Sequence, residues 1–496
     1  MFIQNLYQQI VNQSLKKPDK VAILDYEETY TYVDIVNKIE KFRQILRYYY
    51  SLKNFNFIGL YADNSAISYS VILACALEGI TYVPLSVYEP DERLFKILKA
   101  AQIEVIIYDQ KFEKKILNWG KKYSSDLLYI SSEDTHFNLK LKPIITEKSN
   151  DLYILFTSGS TGIPKGVSIN QTGVENFITW ASEYLQVHED DIFLSHSRIT
   201  FDLSVFNIYL PLLHGAQVVI VKDLIDQIYP HTFLSKKVTI ALVVPRITNN
   251  LIQNESLKPL AFPDLRHILF CGEKLLAHHV NAWTQTHPSV FVHNIYGPTE
   301  TTVTCTYYTI QPGQKVIDPV PIGTTIPNMK ISFFSGTNII ENGPFESEAY
   351  ISGVGVSTKN YVGIESNLFD THPKLGRYFK SGDLLYLDPN NILYWKSRLD
   401  FQVKVRGHRV ELSEIESILL TQKHIIDACC IFDPVKENIY AFVAAPDPLI
   451  KTDQLKNICK LNLPEYMIPS HFYVLTELPK NQNGKVDREQ LKKLLS

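Results

Sequence analysis

The clearest indication of the fold is the stretch Leu152-Tyr-Ile-Leu-Phe-Thr-Ser-Gly-Ser-Thr-Gly-Ile-Pro-Lys-Gly-Val167. Its apolar start, Leu152 to Phe156, predicts a buried strand that leads into a loop of hydroxyls, glycines and a lysine. Glycines let a backbone approach an anion closely, and successive N–H groups can surround phosphate oxygens. Lys165 adds positive charge. Hydroxyl donors come from Thr157, Ser158, Ser160 and Thr161. The stretch therefore predicts a phosphate-binding loop at the end of a strand.

This loop does not follow the P-loop pattern GxxxxGK[ST]. Pro164 stands five positions after Gly159, where that pattern requires glycine. A polar surface turn is the alternative, because clusters of Ser, Thr and Gly often form plain loops. The combination of strand, hydroxyls, glycines and lysine favours the phosphate-binding interpretation.

A second motif, Asn294-Ile-Tyr-Gly-Pro-Thr-Glu-Thr-Thr302, combines an aromatic ring with hydroxyls and a carboxylate. Locally it predicts a turn. An aromatic face suits a purine, and a hard cation takes a carboxylate together with waters and phosphate oxygens. These residue types are therefore suited to a nucleotide with Mg²⁺.

Three further motifs follow in the C-terminal third of the sequence. Tyr378-Phe-Lys-Ser-Gly-Asp-Leu384 contains Asp383, whose carboxylate can accept hydrogen bonds from two donors, although an aspartate can also cap a turn. Ser397-Arg-Leu-Asp400 precedes Gln402-Val-Lys-Val-Arg-Gly-His-Arg-Val-Glu411. Leu478-Pro-Lys-Asn-Gln-Asn-Gly-Lys-Val-Asp-Arg488 contains Lys485, for which an ordinary surface lysine is the alternative.

In this order the motifs resemble those of the adenylate-forming enzymes, the superfamily of acyl-CoA ligases and peptide-synthetase adenylation domains. The resemblance covers about residues 20 to 490. It implies ATP and Mg²⁺ as cofactors and an α/β fold in two parts. Residues 1–399 would form a large domain of parallel and mixed sheets flanked by helices, with a β-rich subdomain. Residues 400–496 would form a small, mobile α+β lid domain that turns about Asp400.

The resemblance also implies a role for individual residues. Asn294 would hydrogen-bond the adenine, Tyr296 would stack on it, and Asp383 would hold the ribose hydroxyls. Glu300 would bind Mg²⁺, and Lys485 would be catalytic, because its ammonium stabilises negative charge gathering at the α-phosphorus. The full set of implied ATP-binding residues is Thr157, Ser158, Gly159, Ser160, Thr161, Lys165, Gly272, Glu273, Asn294, Tyr296, Gly297, Thr299, Asp383, Arg398 and Lys485. Two positions depart from the family: Ser397 replaces a usual glycine, and Asn170 stands where many members have histidine.

The carboxylic acid to be activated is indicated by Phe201-Asp-Leu-Ser-Val-Phe206. In relatives that activate amino acids, an aspartate at the position of Asp202 pairs with the substrate ammonium. A buried carboxylate needs a cationic partner, which favours an amino acid over an aryl or fatty acid. The alternative is an aspartate that caps a helix N-terminus.

The remaining pocket positions are implied by the same alignment. They are Leu203, Phe206, Arg246, Leu269, Cys271, Ile295, Val303 and Thr304. Most are apolar and of medium size, which predicts a compact side chain. Arg246 has two open interpretations, as an inward-pointing pocket residue or as a solvated surface arginine.

Two closer resemblances compete, to the D-alanine–carrier protein ligases and to stand-alone prolyl adenylating enzymes. The hand and identity of the amino acid stay open between them. Both imply transfer to a phosphopantetheinylated carrier protein. No carrier signature occurs in these 496 residues, so the carrier is expected in trans. An acyl- or aryl-CoA ligase is the alternative in the same superfamily, and a non-catalytic nucleotide-binding protein is the alternative of another class.

Composition agrees with a cytoplasmic enzyme. A net charge of −3 gives no indication of a nucleic-acid partner, and six scattered cysteines show no zinc-ligand spacing. The sequence predicts neither a signal peptide nor a membrane span. Alternating helical and strand patterns over residues 1–150 and again over 150–330 predict βαβ units with largely parallel sheets, and residues 330–400 predict a β-rich part.

Overall fold

The computed structural model describes most of the chain. The described residues are 2–26, 28–122, 127–135, 151–159, 164–221, 236–336, 338–422, 424–445, 451–480 and 486–495. Among them, no helix is long and apolar enough to cross a membrane.

The helices of the described residues are numbered in chain order. They are α1 (Phe2–Lys16), α2 (Tyr32–Leu52), α3 (Ala66–Glu78), α4 (Asp91–Ala100), α5 (Glu113–Lys122), α6 (Gln171–Leu185), α7 (Ser204–His214), α8 (Arg246–Gln253), α9 (Ala277–Thr286), α10 (Leu412–Leu420), α11 (Thr452–Asn462) and α12 (Arg488–Lys493). Local sequence explains their ends. α2 begins after Thr31, whose side chain accepts from the Asp34 N–H while Asp34 accepts from Thr31 N–H, and α3 ends at Gly79, where φ is +73°.

The strands of the N-terminal 310 residues form two sheets. They are β1 (Val21–Asp25), β2 (Glu28–Thr31), β3 (Phe57–Tyr61), β4 (Thr81–Leu85), β5 (Val105–Tyr108), β6 (Leu128–Ser131), β7 (Asp151–Thr157), β8 (Lys165–Asn170), β9 (Ile192–Ser195), β10 (Gln217–Ile220), β11 (Ile240–Val243), β12 (His267–Phe270), β13 (Phe291–Tyr296) and β14 (Thr306–Ile310).

One of these sheets has the order β6-β5-β3-β4-β7-β8. Its strands are parallel except for the β7–β8 pair, which is an antiparallel hairpin around the phosphate-binding loop. β7 confirms the strand predicted from Leu152 to Phe156. All five of these residues except the last are buried, which explains the unbroken apolar run.

The other sheet has the order β15-β14-β13-β12-β11-β9-β10-β1-β2, where β15 is Thr324–Thr325. The parallel character predicted for residues 150–330 is confirmed in β10, β9, β11, β12 and β13. The sequence order did not reveal that β1 joins this sheet by pairing with β10, while β7 and β8 join the first sheet. The sheet that a strand joins depends on tertiary packing, because adjacent strands in a sheet need not be adjacent in the chain.

The β-rich part predicted for residues 330–400 is confirmed. Its strands are β16 (Met329–Ser335), β17 (Asn338–Ile340), β18 (Phe345–Gly353), β19 (Phe369–His372), β20 (Gly376–Leu387) and β21 (Leu393–Arg398). All of their pairings are antiparallel, in the order β17-β16-β18-β20-β19 with β21 on β20.

The C-terminal part, residues 402–495, has a hairpin and a small three-stranded sheet. Its strands are β22 (Gln402–Val405), β23 (His408–Glu411), β24 (Asp427–Asp433), β25 (Asn438–Ala444) and β26 (His471–Leu475). Two hydrophobic clusters draw only on residues 403–495, and the other three draw only on residues 2–395. The predicted α/β architecture of a large N-terminal and a small C-terminal domain is therefore confirmed.

Candidate active site

A cavity of about 640 Å³ lies where the carboxyl ends of β11, β12 and β13 face β20, β21 and the β22–β23 hairpin. The loops that follow parallel strands are the usual place for ligands in open α/β sheets. Another cavity, of about 540 Å³ beside α1 and α6, contains none of the residues predicted from the motifs. The first cavity is therefore the candidate active site.

Asp383 on β20 organises one end of the cavity. The Tyr296 hydroxyl donates to its Oδ2 at 2.6 Å, while Trp395 Nε1 and Arg398 Nη1 each donate to its Oδ1 at 3.0 Å. Arg398 also pairs with Asp400 through an Nε–Oδ1 contact of 2.7 Å. Burial, and next the Asp383 charge, raise the pKa of Tyr296, so the phenol stays a hydrogen-bond donor. This end, the nucleoside end, brings together the residues predicted for the adenine, the ribose and the hinge.

Two further features fix the position of residues at the nucleoside end. Asn294 Nδ2 donates to the carbonyl of Pro321 at 2.7 Å, which anchors the side chain predicted to contact the base. Gly297 follows β13 at a tight approach, because a Cβ there would lie 2.6 Å from the Cα of Thr304. A larger residue at position 297 would displace the strand that carries Tyr296.

The phosphate end is the region of the predicted phosphate-binding loop beside the cavity. Ser158 and Gly159 do not line the cavity, but they contact residues of the C-terminal part close to Arg409, which does line it. The Ser158 hydroxyl accepts from the Glu411 N–H and donates to the Arg409 carbonyl, both at 3.0 Å. The Gly159 N–H donates to Glu414 Oε2 at 3.0 Å. Two of the donors predicted for phosphate, Ser158 and Gly159, are thus bonded to protein groups in this arrangement.

Lys165 opens β8 and is 5% exposed. Its Nζ lies 3.0 Å from Glu411 Oε1 and 5.1 Å from the centre of the Tyr361 ring. Burial, followed by the charge of Arg409, lowers the pKa of the Lys165 ammonium, and the carboxylates of Glu300 and Glu411 oppose that shift. The lysine predicted to face phosphate therefore faces a glutamate of the C-terminal part.

Glu300, the predicted Mg²⁺ ligand, is fully buried. Arg409 Nη1 donates to its two carboxylate oxygens at 2.9 and 2.7 Å, and the Tyr361 hydroxyl donates to Oε1. Burial would raise the pKa of Glu300, but Arg409 and Lys165 outweigh it and hold the pKa at about 2. A divalent cation does not fit beside this carboxylate while the Arg409 guanidinium occupies both oxygens. Among the described residues, no three His, Cys, Asp or Glu side chains form another metal site.

Asp202 lies at the cavity just before α7 and is 6% exposed. Burial raises the pKa of its carboxyl to about 6, against a hydrogen bond from Thr299. α7 begins at Ser204 with Leu203 as its N-cap and no side-chain capping bond, so Asp202 does not cap this helix. Across the described residues, no cation lies within ion-pair distance of Asp202, although the charge of Lys404, which lines the same cavity, also lowers the pKa of Asp202.

The other predicted pocket residues divide into two groups. Leu203, Arg246, Cys271 and Ile295 line the cavity. Phe206, Leu269, Val303 and Thr304 are buried beside it but are not among its lining residues. Phe206 packs in the core against Phe193, with ring centres 5.5 Å apart, and the Thr304 hydroxyl donates to the Tyr296 carbonyl at 3.0 Å.

Arg246 faces the cavity from the start of α8. Its backbone N–H donates to Glu273 Oε2 at 3.2 Å, and its guanidinium contacts the Glu437 carboxylate of the C-terminal part. This position agrees with the interpretation of Arg246 as an inward-pointing pocket residue. The carboxylate that its guanidinium contacts belongs to the protein itself, at Glu437.

The remaining predicted residues have these positions. Thr157 ends β7, and the lining residues of the cavity include Gly272, Glu273, Gly297, Thr299 and Asp400. Ser160, Thr161 and Lys485 lie outside the described residues.

Several residues of the site had no role assigned from the sequence. The Trp395 and Tyr361 side chains donate hydrogen bonds to Asp383 and Glu300, respectively. No sequence motif around either aromatic residue indicated these contacts. Two of these residues, Arg409 and Glu411, lie in the motif from Gln402 to Glu411, and Glu414 follows it. The indication in the sequence was the number of charged residues beside the glycine of that motif. The sequence also gave no sign of the buried cluster that Arg93 forms with Glu89 and Glu414.

Comparisons with known proteins agree with this geometry. Residues 10–337 match the family model of AMP-binding enzymes, and residues 414–485 match that of the AMP-binding enzyme C-terminal domain. The chain is 30% identical to tyrocidine synthase 3 of Brevibacillus parabrevis over 98% of its own length, but it spans only 8% of that relative. It is 29% identical to zwittermicin A synthase ZmaJ of Bacillus cereus, covering 99% of the chain and 94% of ZmaJ.

The fold has a close counterpart among solved structures. The Vibrio cholerae adenylation domain AlmE, solved with glycyl-adenosine-5'-phosphate, superposes with a TM-score of 0.84 at 23% identity, covering 99% of this chain and 98% of AlmE. The family model for AMP-binding enzymes covers well over half of the 496 residues. The chain therefore belongs to the AMP-binding enzyme family, the adenylate-forming superfamily that its motifs resemble.

Proposed function

We propose that the chain activates an amino acid with ATP and passes it to the phosphopantetheine thiol of a separate carrier protein. In the first step a substrate carboxylate oxygen bonds to the α-phosphorus and the bond to pyrophosphate breaks, giving an aminoacyl-adenylate. In the second step the thiol sulfur bonds to the acyl carbon, AMP leaves with the electron pair of the broken bond, and the thiol proton passes to solvent.

The observation that carries this proposal is the position of Asp202. Its carboxylate is buried at the cavity, and the described residues offer it no ion-pair partner. A buried carboxylate without a cation is costly, and a substrate ammonium would supply that cation. An aryl or fatty acid would leave the carboxylate without an ion-pair partner, with only the more distant charge of Lys404 acting on it.

The nucleoside end supports ATP as the co-substrate. Asp383 lies between the ring of Tyr296 and the guanidinium of Arg398, within one cavity that also reaches Asp202. A ribose whose hydroxyls donate to Asp383 would place the adenine beside Tyr296. The α-phosphate would then lie toward Thr299, on the way to the substrate pocket.

Residues 400–496 are proposed to act as a mobile lid, with Asp400 at the hinge. The two hydrophobic clusters confined to residues 403–495 support this division, since such a unit can move without exposing the core of the larger part. Lys485 would stabilise charge at the α-phosphate during the first step. Mg²⁺ at Glu300 belongs to the same proposal and requires Arg409 to move away.

The test is pyrophosphate exchange into ATP across both enantiomers of the common amino acids and proline. Exchange with one or a few amino acids is expected, and Asp202→Asn should reduce it by about 100-fold through loss of the charged pair. Asp190→Asn, which changes an exposed aspartate, is the matched control and should exchange normally. Exchange only with aryl or fatty acids would contradict the proposal.

The acceptor is tested separately, since acyl-CoA ligases share the first step. Preformed aminoacyl-adenylate is offered to free CoA and to phosphopantetheinylated carrier proteins, and the thioester products are measured by mass. Transfer to a carrier with little transfer to CoA is expected. The reverse preference would identify the chain as an acyl-CoA ligase.

A further inference from the structure

The cavity has a further wall, to which neither the residues of the nucleoside end nor Asp202 belong. The start of α8 supplies Arg246 and Asn249 to this wall, and α9 supplies His279; these three residues are here named the α8 wall. Arg246 and Asn249 are three positions apart in a helix, so their side chains lie on the same face. The α8 wall therefore brings a guanidinium and a side-chain amide to one part of the cavity.

The hydrogen bonds of His279 determine which polar atom Asn249 can offer to a ligand. Burial lowers the pKa of His279 to about 4, so its ring is neutral and only one of its nitrogens carries a hydrogen. The Leu276 N–H donates to Nδ1 at 3.3 Å, so the hydrogen is on Nε2, which donates to Asn249 Oδ1 at 3.0 Å. Because the amide oxygen is engaged in this way, the group that Asn249 can offer is its Nδ2 donor.

The polar groups that Arg246 and Asn249 present are consequently hydrogen-bond donors. A guanidinium has five N–H groups and no acceptor, and the amide adds its Nδ2. A planar guanidinium binds a carboxylate through two parallel charge-assisted hydrogen bonds, which a carboxamide matches only in part and an apolar group does not match. In the structure the Glu437 carboxylate contacts the Arg246 guanidinium, so a carboxylate fits at this wall.

Asp202 and the α8 wall follow neighbouring strands. Asp202 follows β9 and Arg246 follows β11, and these strands pair with each other, about 4.8 Å apart. Leu203 and Cys271 line the same cavity with little polarity. A substrate in this part of the cavity thus meets both an anion and a cation, which are the charges complementary to an ammonium and to a carboxylate.

A simple ion pair is the alternative, in which Arg246 serves only to hold Glu437 of the C-terminal part. The two side chains are 30% and 29% exposed, and an ion pair that is open to water to this extent contributes little to stability. The ion pair also gives no reason for a second donor at Asn249. The α8 wall is therefore better suited to a ligand that accepts hydrogen bonds from both residues.

We propose that the α8 wall binds the side chain of the substrate amino acid, and that this side chain ends in a carboxylate. The substrate ammonium pairs with Asp202, the α-carboxylate is the group that is activated, and the second carboxylate accepts from Arg246 and Asn249. In the structure, Glu437 holds the position of that second carboxylate. The inference rests on the proposed function and deepens it, because it names the substrate as an acidic amino acid.

Pyrophosphate exchange tests the class of substrate. Aspartate and glutamate of both hands are compared with asparagine and glutamine, which are nearly the same size but carry no side-chain charge. The value of kcat/KM for one acidic amino acid should exceed that for its carboxamide by about tenfold or more. Exchange in which no acidic amino acid is preferred would overturn the inference and leave the proposed function intact. Exchange with no amino acid at all would overturn both.

Two matched variants test Arg246 itself. Arg246→Met keeps a long side chain but removes the charge, so kcat/KM for the acidic amino acid should fall about 100-fold, while that for its carboxamide changes less than about threefold. Glu437→Gln removes the other member of the ion pair and should leave the ratio between these two substrates unchanged. A merely structural role of Arg246 would lower exchange with both substrates alike. Such a uniform loss, or equal changes of the ratio in both variants, would overturn the inference.

Asn249→Asp is an independent variant that keeps the shape of the side chain. Its second oxygen replaces the Nδ2 donor with a negatively charged acceptor, so kcat/KM for the acidic amino acid should fall about tenfold or more relative to its carboxamide. AMP binding, measured by calorimetry for all three variants, shows that each is folded. An unchanged ratio in Asn249→Asp, with AMP binding retained, would contradict the assignment of the α8 wall to a carboxylate.

Discussion

The two ends of the candidate active site are built differently. At the nucleoside end, Asp383 is held by Tyr296, Trp395 and Arg398, all of which precede residue 400. At the phosphate end, Lys165 and Glu300 are held by Glu411 and Arg409 of the C-terminal part. One end is therefore complete within the large domain, whereas the other shares its charges with the small one.

Because of this difference, we expect nucleoside binding and the reaction at the phosphates to depend on different parts of the molecule. We expect a nucleoside to be held in the same way wherever the small domain lies, because none of its predicted contacts belongs to that domain. If the small domain moves as proposed, the groups predicted to meet the phosphates would change partners. Variants in the two ends should consequently differ in which ligands they affect.

The largest expected effect concerns the small domain itself. Lys485→Ala should lower pyrophosphate exchange by about 100- to 1,000-fold, because it removes a charge that stabilises the transition state more than the bound substrates. ATP binding, measured by calorimetry, should change less than about threefold. Lys492→Ala, an exposed lysine of α12, is the control. An unchanged exchange rate would show that the role of Lys485 is misassigned.

A smaller effect is expected from the nucleoside end. Asp383→Ala removes charge-assisted hydrogen bonds worth about 1.5–3 kcal/mol, so ATP and AMP should both bind roughly 10- to 100-fold more weakly. Lys165→Met at the phosphate end should weaken ATP and leave AMP nearly unchanged. Equal losses of AMP binding in both variants would contradict the separation of the two ends.

The smallest effect concerns pH and the substrate pocket between the ends. Burial raises the pKa of Asp202 to about 6, so its carboxylate is charged above that pH and becomes neutral as the pH falls through it. The value of kcat/KM for the amino acid should therefore fall about tenfold from pH 7 to pH 5, since only the ionised form pairs with ammonium. Asp202→Asn should lose this part of the profile. A profile that is flat in the wild type would exclude this role.

Local patterns predicted the strand that leads into the loop around Gly159. The apolar run from Leu152 to Phe156 lies within β7, because a strand that is buried on both faces needs apolar side chains on both faces. Local patterns did not predict that β1 pairs with β10, since the two strands lie almost 200 residues apart in the chain.

Residue types and their order along the chain were enough to establish the kinds of chemistry present. These are the hydroxyls, glycines and lysine of the loop, the aromatic and acid near Gly297, and the aspartates at 202 and 383. The pairing of Arg409 with Glu300 and of Glu414 with Gly159 became visible from the folded molecule alone. These pairs join residues more than a hundred positions apart, and buried charges select their partners through the packing of two domains, which no local pattern records.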